Sequence, residues 1–118
     1  VSERPTWTPA EEVECLKLAN DAKGWLGCNL AEIRIGRWGD LWMVGTSTHL
    51  TSPHSSYSEP MGVWRDHEPR TYLTRADALA EGIRRIRERQ AGCLPKRALD
   101  WLDELEAPQQ ADLFGAAA

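Results

Sequence analysis

Residues 32–47 read EIRIGRWGDLWMVGTS. Ile33 and Ile35 alternate with Arg34 and Gly36, which is the period of a strand that buries one face. Residues 41–47 are dense in strand formers, and Gly39-Asp40 between the two segments is turn chemistry. The stretch predicts a β-hairpin. The flanking segments decide what the hairpin joins. Upstream, Thr8-Pro9-Ala10-Glu11 has the layout of a helix start, with a capping threonine, a proline at the first helical position and a glutamate closing a capping box. Val13, Leu16 and Ala19 or Asn20 follow at helical spacing, and Gly24 is a natural stop. A first helix is expected over residues 9–23.

Downstream, TSTHLTSPHSSYSEP (46–60) is polar and rich in Ser, Thr and Pro, so a long mobile loop is expected there. MGVWR (61–65) has the composition of a third strand. Thr74 and Asp77 cap a second helix whose apolar stripe is Leu79, Ile83 and Ile86, extended by Ala76. Gly82 in this stripe permits close packing, and Gly92 ends the helix. A third helix starts at Pro95, buries Leu99, Leu102 and Leu105 with Trp101, and stops at Pro108. The expected fold is α+β: a small antiparallel three-stranded sheet with an N-terminal helix and two C-terminal helices. One globular domain, residues 1–107, would precede a flexible tail, 108–118.

Composition bounds the rest. The chain has 118 residues, 42% hydrophobic and 27% charged, with a net charge of −4. This describes one soluble domain with a modest core. No apolar run approaches the ~20 residues of a membrane helix, and VSERPTWTP lacks the layout of a signal peptide. Cys15, Cys28 and Cys93 are widely spaced, as expected of reduced thiols in a cytoplasmic protein. Six tryptophans against one phenylalanine suggest either a core built from indoles or a stacking surface.

Candidate chemistry is sparse. His49, His54 and His67 lack the paired spacing of a zinc site, and the serines of 46–60 have no nucleophile elbow around them. No glycine loop cradles phosphate. Neither a catalytic residue nor a metal or other cofactor is expected. Between Arg65 and Arg97, nine Lys or Arg face five Asp or Glu, leaving −8 on the remainder of the chain. Arg84, Arg85, Arg87 and Arg89 crowd one helix end. They either complement its negative C-terminal end and solvate its outer face or contact nucleic-acid phosphates.

Residues 109–115, QQADLFG, hold the only phenylalanine of the chain beside Leu113. A disordered tail ordinarily lacks such apolar pairs, so Leu113 and Phe114 call for a partner surface. Gln110-Ala111-Asp112-Leu113-Phe114 resembles the pentapeptide by which bacterial DNA polymerases, repair proteins and other replication partners bind the sliding clamp: Gln, a small or aliphatic residue, Asp or Ser, Leu, then Phe or Leu. All five positions match, and the resemblance covers only these residues, not the domain before them. It implies that Leu113 and Phe114 anchor in an apolar pocket, that Gln110 fixes register through its amide, and that Asp112 stays solvated or meets a basic rim. The reading is a non-enzymatic accessory protein of bacterial, phage or plasmid DNA metabolism, tethered to the clamp. The alternative is a stand-alone nucleic-acid- or ligand-binding module using the Trp-rich sheet and the Arg-rich helix.

Overall fold

The structure is a computed structural model. It describes the backbone of residues 6–20, 29–51, 54–89 and 92–115, with their side chains except at 51, 54 and 108–115. Trp25, Cys28 and the expected stop at Gly24 lie outside these residues. Six strands and two helices follow in the order β1 (Trp7–Pro9), β2 (Glu11–Ala19), β3 (Asn29–Trp38), β4 (Leu41–Thr51), β5 (His54–Ser58), β6 (Gly62–Trp64), α1 (Arg75–Arg89) and α2 (Lys96–Gly115). β2-β3-β4-β5 form a four-stranded sheet in chain order, and β1 pairs with β6 in a separate two-stranded ribbon. Every pairing is antiparallel.

The central hairpin is found where its alternation places it. Trp38 pairs with Leu41, Ile35 with Val44 and Ile33 with Thr46 across a turn at Gly39-Asp40, where Gly39 takes a φ of 62°. Three other expectations are corrected. The N-terminal helix over 9–23 does not form, because residues 7–9 and 11–19 are strands. The register slips between Glu12 and Glu14, leaving Val13 as an extra residue in β2. A bulge turns a period of two into a local spacing of three. Here that spacing joins Glu11 and Glu14, whereas Val13 and Leu16, three apart in the sequence, do not share a face: Val13 is 53% exposed and Leu16 packs on the core. Beyond the bulge, Leu16 and Leu18 alternate as a strand should, and both pack on the core.

The second correction concerns residues 46–60. β4 runs on to Thr51, and β5 returns beside it with Thr48 opposite Tyr57 and Leu50 opposite Ser55. Thr46, Thr48 and Leu50 are buried at alternate positions, and threonine is a strand former despite its polarity. The sheet therefore has four strands rather than three. In the third, the strand inside 61–65 does form, but it joins β1 in the ribbon rather than the main sheet.

α1 and α2 cover one face of the sheet. Ile33, Ile35 and Val44 of the sheet meet Ala78, Leu79, Ile83 and Ile86 of α1 and Leu102 of α2. Gly82 lets α1 approach closely, since a Cβ there would lie 2.9 Å from Val44 Cγ2. A smaller cluster of Leu30, Leu50 and Ala98 closes the far end. None of the described tryptophans belongs to the buried set. The core is aliphatic, and the indoles sit at its margin or outside it. α2 begins after Pro95 as expected but includes Pro108 and continues to Gly115.

The cap of α1 is the expected one: Asp77 N–H donates to Thr74 Oγ1 at 3.0 Å. Replacing Thr74 with alanine should cost about 1 kcal/mol, the usual worth of such a cap. Urea denaturation of the variant would measure it.

Candidate functional site

The open face of the sheet is crossed by the chain that leaves β5. Gly45 makes room for it, because a Cβ there would lie 2.6 Å from the Glu59 carbonyl and 2.9 Å from Met61 Cγ. Arg34 on the same face donates to the Glu59 carbonyl at 2.6 Å and to Ser47 Oγ at 2.9 Å, which fixes the crossing. The chain then pairs as β6 with β1 and sets Trp64 against Trp7, ring centroids 5.0 Å apart and tilted by 57°.

β5 accompanies β4 only from Ser47 to Thr51. The rest of that edge is closed piecemeal, as a sheet edge buried in a fold must be. Trp42 and Tyr72 exchange two backbone hydrogen bonds, and Glu59 N–H donates to the Thr46 carbonyl. Between them Arg85 reaches in from α1. Its Nη1 donates to Glu59 Oε1 at 2.5 Å and lies 3.5 Å from the Val44 carbonyl, while Nη2 donates to Tyr72 Oη at 2.8 Å. Burial works against the Arg85 charge, but Glu59, Tyr72 and Glu81 outweigh it and hold the guanidinium more firmly protonated than usual. Burial also pushes the Tyr72 hydroxyl upward, with Arg85 opposing and Glu81 reinforcing the shift.

A cleft of about 290 Å³ opens beside this edge. Trp7, Trp64 and Met61 give its lining apolar surface, Glu59 and Arg85 give it charge, and His67, Glu68 and Arg70 line it from the segment after β6. Glu59, Arg70 and Arg85 also line an adjoining groove that runs along α1 past Arg84, Glu88 and Arg89.

The four arginines singled out from the sequence do lie together on α1, and each already faces an acid. Arg84 pairs with Glu81 and Glu88. Arg85 pairs with Glu59. Arg87 ties the two helices together through Asp103 at 2.6 Å and Glu106 at 2.5 Å. Arg89 stacks over Tyr57 at 3.5 Å, donates to Thr46 Oγ1 and lies 3.7 Å from Glu59. Gln110, Asp112, Leu113 and Phe114 fall in the last turns of α2, beyond Leu105 and Glu106, the last described residues of α2 that engage the body.

Sequence reasoning offered the six tryptophans together as core or stacking surface without singling out Trp7 and Trp64, and it passed over Arg70. The available signal was the density of aromatic, basic and His residues in 61–70, but nothing local pairs Trp7 with Trp64 across 56 intervening residues. Among the described residues, no helix is long and apolar enough to cross a membrane. Nor does any group of three or more His, Cys, Asp or Glu among them have a metal-holding arrangement. Comparison with models of known protein families, with curated proteins and with solved structures gives no match.

Proposed function

We propose that this protein is a non-enzymatic accessory factor of DNA metabolism that docks on the DNA polymerase sliding clamp through residues 110–114. The observation that carries the reading is the five-position match of Gln110-Ala111-Asp112-Leu113-Phe114. Pro108 supports it physically. A proline has no N–H to donate to the carbonyl four residues earlier, so the join between the packed helix and the motif lacks one backbone hydrogen bond. The motif can thus leave the helix at low cost. The reading places the protein in the cytoplasm, with the clamp.

Only a few anchors carry the energy of so small an interface, and ordering the segment offsets part of it. A dissociation constant near micromolar, about −8 kcal/mol, is expected. The test is titration of the full chain, and of a form ending at residue 108, against a purified bacterial sliding clamp. The full chain should bind and the shortened one should not. Removing 109–118 should change the folding free energy by no more than about 0.5 kcal/mol, the range of surface changes. Absence of binding at about 100 µM clamp, two decades above the expected constant, rejects the proposal. A large loss of stability on truncation would assign Leu113 and Phe114 to the core instead.

A further inference from the structure

We infer that the cleft between the Trp7–Trp64 pair and Arg70 is a binding site for a nucleoside 5′-monophosphate unit. The inference is independent of the clamp reading, since it uses none of residues 108–118.

Three observations converge on it. The first is the indole pair. Trp64 is 52% exposed yet held in place by Trp7 and by its strand pairing, Trp64 opposite Trp7. A fixed aromatic face half open to water is a ready stacking platform, because every nucleobase has a π-face to offer it. Trp64 also lines a second, smaller recess with Trp38 and Arg65, so it stands between two concavities.

The second is Arg70. Among the described residues it is the one arginine with no hydrogen bond, ion pair or ring contact. It lines both the cleft and the adjoining groove along α1. An arginine fork without a protein acid matches phosphate geometry. The neighbouring Arg84, Arg85 and Arg89 are neutralised by Glu59, Glu81 and Glu88.

The third is the balance of charge and size. A nucleic-acid strand needs several uncommitted cations to neutralise successive phosphates. One uncommitted guanidinium, with Glu59 and Glu68 close by in the lining, disfavours a polyanion and suits a single phosphate. About 290 Å³ sits at the lower end of small-molecule sites and suits one nucleotide. The Glu68 carboxylate and the His67 ring offer acceptors for sugar hydroxyls or base N–H groups. A planar ring, hydroxyl donors and one phosphate together describe a nucleotide. It can come as a free mononucleotide or as the 5′-phosphorylated end of a single strand.

The experiment is a tryptophan-fluorescence titration of the full chain with the four ribonucleoside monophosphates, and with a 5′-phosphorylated pentanucleotide. Saturable quenching is expected with a dissociation constant between about 10 µM and 1 mM. Trp64→Ala and Arg70→Ala should each weaken it about ten-fold or more, and Arg70→Lys should recover part of the loss. The distant substitution Lys17→Ala should leave it unchanged. Adenosine and inorganic phosphate separately should each bind more weakly than AMP. A pentanucleotide that binds more than ten-fold tighter than the mononucleotides assigns the site to strand ends; equal affinity assigns it to free nucleotides. If Trp64→Ala does not fold, the indole N–H signals of the unsubstituted protein decide: those of Trp7 and Trp64 should shift on adding AMP, and that of Trp101 should not. No saturable response up to about 10 mM AMP, ten-fold beyond the weak limit, overturns the inference. So does binding indifferent to both Arg70→Ala and Trp64→Ala, or shifts confined to Trp101.

Discussion

Replacing Arg85 with alanine is expected to destabilise the fold by about 3–5 kcal/mol, the cost of leaving one partner of a buried ion pair behind. The Arg85 side chain is only 11% exposed, and that of Glu59 23%. Its guanidinium serves Glu59 and Tyr72 and lies against the Val44 carbonyl. After truncation, Glu59 retains only the more distant Arg89 at 3.7 Å, and the β4 edge loses the group that covers it. Native domains are stable by about 5–15 kcal/mol in total, so this is a large fraction. Arg85→Lys should recover little, because one ammonium cannot reproduce a fork whose two nitrogens hold different partners. Arg84→Ala is the control: that side chain is 52% exposed, and exposed pairs contribute little. Urea denaturation of the three variants measures the differences. A loss below about 1 kcal/mol for Arg85→Ala, the scale of an exposed pair, would mean that the edge is closed by backbone contacts alone.

On the proposed docking, Phe114→Ala should produce the largest effect on clamp binding. A well-buried phenylalanine is worth roughly 1.5–3 kcal/mol by area, and each 1.4 kcal/mol is a factor of ten. Affinity should therefore fall about ten-fold to a hundred-fold or more from its near-micromolar start. Gln110→Ala should also weaken binding, by leaving polar groups of its subsite unpaired. Gln109→Ala lies outside the pentapeptide and should change little. The measurement is titration of the full-length variants against the clamp. Binding that ignores Phe114 would reject the anchoring mechanism while keeping the partner.

The local chemistry of the sequence determined the central hairpin, the capped start of α1 and the stripe by which α1 meets the sheet. Each is decided within a few residues: alternation around Gly39-Asp40, Thr74 with Asp77, and Leu79, Ile83 and Ile86 on one helical face. The tail pentapeptide is proposed from the sequence alone, since a short linear motif is read without a fold. What only the tertiary structure decided is of another kind. β2 was hidden because the bulge at Val13 shifts the alternation by one residue, and only pairing with β3 shows which residue is surplus. β5 and the end of β4 were hidden because their buried residues include Thr46 and Thr48, polar in sequence but covered by the helix layer, with Arg89 bonded to Thr46 and stacked on Tyr57. The cleft combines residues from β1, β4, β6, the segment after β6 and α1. Its aromatic lining depends on Trp7 pairing with Trp64, a contact far apart along the chain. Periodicity and capping report only the forces acting between near neighbours. Non-local strand pairing and the burial of a charged side chain under a helix are tertiary free energies that leave little local trace.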